Sequence, residues 1–227
     1  MTKAQSSSAR APAAPRLTRE ALVDAAMALA DREGLDALTI RKLAGEIGVT
    51  PMALYWHVKD KDELLEALGE RMFAEVKLPP AGGRPWPAEL RDALAAVLAS
   101  LKEHPSVAPL ALHTVLTSEA GLEIAERVLG LLVQAGFEER ATADIGAYLL
   151  SSIVTLVTAE PGAEPGRGPD ELEALLEQKR ARVAGLAGAR FPTVTRLTDA
   201  LLSCEDTAAY YERGLDLLVL GLQGLAA

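Results

Sequence analysis

The sequence predicts an all-α protein with a three-helix N-terminal head of the helix-turn-helix kind and a larger helical body. Three observations predict it. Alanine and leucine dominate, and apolar residues make up 49% of the 227 while aromatics make up only 4%. β-Branched runs bounded by turns are scarce, so strands lack their preferred material. Apolar residues recur three and four positions apart between clear Gly and Pro breaks. The length allows one or two domains. A single cysteine, Cys204, rules out an intrachain disulfide framework and suits a reducing cytosol. It reads as a small buried or interface hydrophobe.

Residues 1–16 are rich in Ser, Ala and Pro and have no apolar core, so they are neither a signal peptide nor a membrane span. A disordered, solvated tail is the preferred reading. The alternative is a basic arm in which Arg10 and Arg16 follow a minor groove. The first helix runs from Thr18, its cap, to Glu33, with Leu22, Ala25, Ala26, Leu29 and Ala30 as its inner stripe and Gly34 as its stop. Leu35 and Leu38 then seal the head.

Thr39 to Lys61, TIRKLAGEIGVTPMALYWHVKDK, is the stretch the chain is organised around. Thr39 caps a short helix with Leu43, Ala44 and Ile47 on one face. Gly48 stops it, because glycine takes a left-handed conformation without a Cβ clash. Thr50 caps again with Pro51 at the first helical position, and a second helix is expected over Pro51–His57. That helix is too short to stand alone. It offers Thr50, Tyr55, Trp56 and His57 outward, which suits a DNA major groove. A plain helical hairpin with Tyr55 and Trp56 in the core satisfies the same periodicity. Asp60 begins the next helix with Glu63 three positions on, a capping-box variant, and Leu64, Leu65, Leu68, Met72 and Phe73 form its apolar face. This helix is placed to link head and body.

Leu78 to Pro87, LPPAGGRPWP, is the clearest boundary, since its glycines and prolines cannot continue a helix. It separates a head over 17–77 from a body over 88–227. In the body, helical patterns cover Ala88–Glu103, His104–Thr114, Ser118–Gly136 and Glu138–Ala159. A Gly/Pro loop spans Glu160–Asp170, followed by a helix over Glu171–Leu186, a less regular Ala187–Leu202, and a last helix over Glu205–Leu225. That last helix presents Tyr210, Leu215, Leu218, Leu222 and Leu225 on one face. Ile145–Ala159 carries no charge but is shorter than the roughly 20 residues that cross a bilayer. A mostly buried helix is the better reading, and no membrane partner is expected.

The formal charge of −9, taken as a single sum, argues against nucleic acid. Its distribution removes the objection. The first 77 residues hold 11 basic and 12 acidic residues, so the acidity lies almost wholly in the body. Arg41, Lys42, Lys59 and Lys61 are therefore free to set the local field.

LTIRKLAGEIGV followed by ALYWHVKDKDELL resembles the N-terminal domain of the tetracycline-repressor (TetR) family, over about Leu17 to Leu68. The resemblance implies a homodimeric repressor that binds a palindromic double-stranded operator in the cytoplasm and is released by a small molecule. It implies a four-helix dimer bundle from Glu138–Ala159 and Glu205–Leu225. It places Thr39 and Lys61 on phosphates, Arg41 on a guanine edge, Pro51, Met52 and Ala53 at the bases, and Tyr55, Trp56 and His57 on sugar–phosphate. Pro51, Met52 and Ala53 depart from the polar residues of the tetracycline repressor, which points to a different operator.

The effector would lie among body helices, with Ala111, His113, Thr114, Leu149, Ile153 and Leu156 as candidate contacts and a largely apolar wall. His113, Thr114 and Glu160 lie near where the tetracycline repressor holds its drug and metal, but the spacing does not match, so no metal site and no cofactor beyond the effector are expected. No enzyme is expected either: His104 and His113 lack metal-ligand spacing, and Ser118 and Ser151 have no nearby base. The competing reading is a helical carrier protein with a vestigial head.

Overall fold

The computed structural model of the protein describes residues 17–163, 168–187 and 190–226. The tail over 1–16, with Arg10 and Arg16, lies outside them. The regular structure of the described residues is all helical, and no strand occurs among them. The head comprises α1 (Arg19–Glu33), a 3₁₀ turn (Leu35–Ala37), α2 (Ile40–Ile47) and α3 (Pro51–Leu54), and α4 (Lys61–Ala74) leads out of it. The body comprises α5 (Trp86–Glu103), a 3₁₀ turn (Ala108–Leu110), α6 (Ala111–Thr114), α7 (Glu119–Gln134), α8 (Glu139–Thr158), α9 (Pro169–Ala187), α10 (Pro192–Leu202) and α11 (Thr207–Ala226).

The caps read from the sequence are present. Thr18, Thr39 and Thr50 accept from the amides of Ala21, Lys42 and Ala53, and Asp60 accepts from Glu63. The Glu63 carboxylate closes the box one residue earlier than expected, on the Lys59 amide at 2.6 Å. Gly48 ends α2 in the left-handed region at φ 75°. Leu22, Leu29, Leu38, Leu43, Leu54, Leu64 and Leu68 are fully buried and weld the head together. Val23 and Met27 of α1 are buried too, while Ala25 is only partly covered.

Four elements of the body differ from expectation. α5 starts at Trp86, because Pro87 in the first turn needs no amide partner. The expected His104–Thr114 helix is broken into a turn, a 3₁₀ segment and α6, since Pro105 and Pro109 interrupt it. Ala187–Leu202, expected to be irregular, contains the regular α10, which begins on Pro192. On α11 Leu215 and Leu222 are buried as expected and Tyr210 and Leu218 are partly buried against the core, but Tyr211 and Val219 complete the buried stripe and Leu225 is exposed.

α4 packs on α1 on one side and on α5, α6 and α7 on the other, so one continuous apolar core runs from head to body. The Gly/Pro segment between α4 and α5 is tied down by Glu89. This buried carboxylate accepts from the amides of Gly82 (3.2 Å) and Arg84 (2.9 Å) and pairs with Arg127 of α7. Burial opposes its ionisation, but the two amides and the guanidinium outweigh that and hold its carboxyl below the ordinary range.

α8 is long and apolar enough to cross a bilayer by length and composition. It packs against α5, α6 and α7, but only Thr142, Leu149, Ile153, Val154 and Val157 are buried, so one subunit does not cover it on most sides as expected. α9 and α10 pack mainly on each other, joined by Arg180 and Asp199 at 2.8 Å, and among their residues of described burial none is buried.

Candidate nucleic-acid interface and ligand cavity

The N-terminal tip of the head collects the residues singled out in the sequence. α3 is a single turn, shorter than the expected Pro51–His57. The Leu54 carbonyl accepts from both the His57 and Val58 amides, so Tyr55–His57 form a tight turn that aims their side chains away from the core. Leu54 and Val58 anchor that turn from below. Above it, Trp56 is 85% exposed, Met52 68% and Tyr55 49%. The hairpin reading with Tyr55 and Trp56 in the core therefore fails.

Thr39, Arg41, Thr50 and Pro51 are exposed, and Ala53, His57 and Lys61 are partly exposed. The Thr39 and Thr50 oxygens are used as caps, which leaves each hydroxyl proton free to donate outward.

Ion pairs sort the cations. Lys42 is engaged by Glu33, and Arg32 by Glu46 at 2.7 Å. The Lys42 contact holds the Glu33 carboxyl below its ordinary range. Arg41 and the ammonium groups of Lys59 and Lys61 have no ion-pair partner among the described residues. The head thus balances most of its charge internally and leaves three cations beside one exposed aromatic and hydrogen-bonding tip. Lys61 also stands at the first position of α4, where the free amides favour an anion.

The body holds an apolar cavity of about 480 Å³ between α5, α6, α7 and α8. Leu149 and Ile153 line it, as expected from the sequence. The other four candidates do not. Ala111 is fully buried in the core, and His113 is exposed. Thr114 donates to the Leu110 carbonyl at 2.9 Å and lies against α4, while Leu156 packs on Gly214 of α11. Leu94 and Val97 of α5 and Ile124 and Val128 of α7 complete the wall. Nothing in the sequence marked those four, because they repeat at the spacing of any core residue. Ser151 is the single polar side chain in the lining.

The drug and metal constellation also comes apart. The Glu160 carboxylate accepts from Tyr211 Oη at 2.5 Å and Thr207 Oγ1 at 3.4 Å, and so is spent on α11 rather than turned toward His113. Among the described residues His113, Thr114 and Glu160 are therefore not turned toward one common site.

One contact joins the cavity to the head. Leu112 of α6 lines the cavity, and Thr114, half a turn on, rests on Gly69 of α4. A Cβ at Gly69 would lie 2.4 Å from Thr114 Oγ1 and 2.6 Å from its Cγ2. Only glycine lets the two helices approach this closely.

The chain matches two family profiles: "Bacterial regulatory proteins, tetR family" over residues 22–68, and "Tetracyclin repressor-like, C-terminal domain" over residues 78–225. It is 34% identical over 222 residues to an HTH-type transcriptional regulator of Saccharopolyspora erythraea, covering 93% of this chain and 87% of that one. The structure is similar to that of ActR from Streptomyces coelicolor in complex with actinorhodin, with a TM-score of 0.73 and 27% identity over 94% of this chain and 100% of that one. It is also similar to Mycobacterium smegmatis BioQ with its natural double-stranded DNA operator, with a TM-score of 0.57 and 25% identity over 71% and 97% of the two chains.

Proposed function

From the premise that the chain belongs to the tetracycline-repressor family of bacterial regulators, we propose that it is a cytoplasmic, homodimeric transcriptional repressor with no catalytic role. It binds a palindromic operator and is released by a small apolar or aromatic molecule. The observation that carries the reading is the path from cavity wall to head. A ligand pressing on Leu112 acts on α6, α6 bears on α4 at Gly69, and α4 begins at Lys61 beside the exposed tip. Tilting α4 moves the tip, and two tips must match one operator spacing.

DNA is held in this reading by Thr39, Thr50 and Lys61 at phosphates, by Arg41 at a guanine, and by Tyr55, Trp56 and His57 along the sugar–phosphate edge. Pro51, Met52 and Ala53 carry no donor to a base. The exposed Met52 thioether is suited to thymine methyl groups, which offer an apolar contact in the major groove. Dimerisation uses the outer faces of α8 and α11, where Tyr148, Leu217 and Leu220 are exposed.

The test is fluorescence anisotropy against a duplex selected by the protein from a random library, with a scrambled duplex and a salt series as controls. Specific binding should exceed scrambled DNA by about a thousandfold or more. Equal affinity for both duplexes, vanishing with salt, would leave only phosphate attraction. Replacing the thymines of the selected half-site by uracil should weaken wild type by roughly tenfold and Met52→Ala hardly at all. Equal sensitivity in both proteins removes Met52 from the readout.

The cavity is tested with N-phenyl-1-naphthylamine, a neutral fluorophore that brightens in apolar surroundings. One saturable site per subunit is expected. Ile153→Trp should abolish it, because the indole fills the space next to Leu149. Undiminished binding to that variant would place the probe elsewhere on the surface.

A further inference from the structure

A second connection between head and body lies away from the cavity. His104 ends α5, and its ring is mostly buried between two carboxylates from different elements. Nδ1 lies 2.8 Å from Asp31 Oδ2 on α1, and Nε2 lies 3.1 Å from Glu75 Oε2 at the end of α4. Each ring nitrogen faces an acceptor, which only the doubly protonated imidazolium can satisfy. Asp31 has no other polar partner among the described residues, and its Oδ1 is buried without one. The Asp31 charge in that crevice is therefore compensated by His104 alone.

We propose that His104 is a positioning residue that clamps the DNA-reading head onto the body, so that the protonation of one side chain sets how firmly the head is held in register. The proposal rests on the operator-binding reading for its consequence but not for its geometry. Neutral imidazole keeps one N–H and turns a lone pair toward the other carboxylate, so loss of the proton removes one charge-assisted bond and replaces it with repulsion.

The surrounding charges do not replace it. From α4, Arg71 serves Glu75 Oε1 at 3.4 Å and Asp24 at 3.3 Å. Beyond α4, Lys77 lies along the groove with Glu75 and Glu103. On α5 itself Lys102 is turned to the Tyr211 ring at 4.3 Å. From α1, Arg32 is occupied by Glu33 and Glu46. Burial works against the charge on His104, yet the carboxylates of Asp31 and Glu75 outweigh it and raise its pKa above the ordinary 6.5. The sign follows from linkage. A raised native pKa gives stabilisation that is complete below 6.5 and is lost as pH climbs through the raised value.

The experiment has two arms on the full chain. The first, free of DNA, measures urea unfolding of wild type, His104→Gln, Asp31→Asn and the double variant at about pH 6 and about pH 9. The expected coupling between the two positions is roughly tenfold in the unfolding constant at the lower pH, and it shrinks toward none at the higher. Coupling that is absent at the lower pH, or equal at both, overturns the clamp. The second arm measures operator affinity on the selected duplex as a ratio of wild type to His104→Gln, which cancels titrations elsewhere at the DNA interface. A ratio of roughly tenfold at the lower pH should narrow toward one at the higher. His104→Arg, a permanent cation, should keep its affinity at both. A ratio that is constant, or that grows with pH, overturns the proposal. If wild type selects no duplex at all, the repressor reading fails instead, and the first arm alone decides the clamp.

Discussion

Gly69→Ala should destabilise the protein, although alanine is the better helix former. The favourable side is worth about 1 kcal/mol for a helix interior. Against it, the new methyl carbon would fall 2.4 Å from Thr114 Oγ1, 2.6 Å from Cγ2 and 2.9 Å from Cβ, well inside van der Waals contact. Thr114 is buried and held by the Leu110 carbonyl at 2.9 Å, so it has no open rotamer to retreat to. Overpacking of this kind costs roughly 1–3 kcal/mol, and Gly69→Val, with two further methyl groups, would raise it further. The clash wins. Urea unfolding checks it, and Thr114→Ala in the same chain should recover part of the loss, because only the Cβ contact then remains. A Gly69→Ala protein as stable as wild type would mean that α4 and α6 slide past each other freely. That would also remove the proposed path from cavity to head.

The second large effect is on DNA. Lys61→Ala and Tyr55→Ala together should lower operator affinity by roughly a hundredfold or more while leaving the melting temperature almost unchanged. Neither side chain belongs to the core, and surface changes away from packing usually stay within about 0.5 kcal/mol. The two can be told apart. Losing Lys61 removes one phosphate contact, so it should weaken selected and scrambled duplexes alike and reduce the salt dependence by about one. Losing Tyr55 should weaken the selected duplex more than the scrambled one. Wild-type affinity in the double variant would remove the exposed tip from the interface.

The head was legible in the sequence because its signals are local. Thr39, Gly48, Thr50 and Asp60 act within four residues of themselves, and each cap or stop appears where its residue type demands it. The end of α3 was less legible. Whether Tyr55–His57 continue a helix depends on how Leu54 and Val58 seat in a core made by α1 and α4. The body was harder for the same reason. Which residues of α11 are fully buried, Tyr211 and Val219 rather than Tyr210 and Leu218, depends on what α5 and α8 offer it, and several sets on that helix satisfy the periodicity equally. Leu149 and Ile153 could be anticipated as lining a cavity, since an uncharged segment must be buried somewhere. Thr114 and His113 looked equally plausible on paper. Their placement turns on the break of the chain around α6, which two prolines signalled but did not aim. Gly69 was invisible, because a glycine needed for a close helix crossing has no local signature.

The segment between α4 and α5 is where the chain passes from head to body, yet the proposed path from cavity to head does not run along it. Its backbone is moored to Glu89, a body residue, so it travels with the body. In the proposed mechanism force reaches the head across the flanks of α4 instead, through surfaces that are neighbours in space and more than forty residues apart along the chain at Gly69 and Thr114. In that mechanism connectivity and transmission are separable. On that mechanism evolution can lengthen or recompose the tether with little effect on signalling, whereas an extra carbon at the α4–α6 crossing is costly. Divergence among such regulators should accumulate in the tether and spare the crossing.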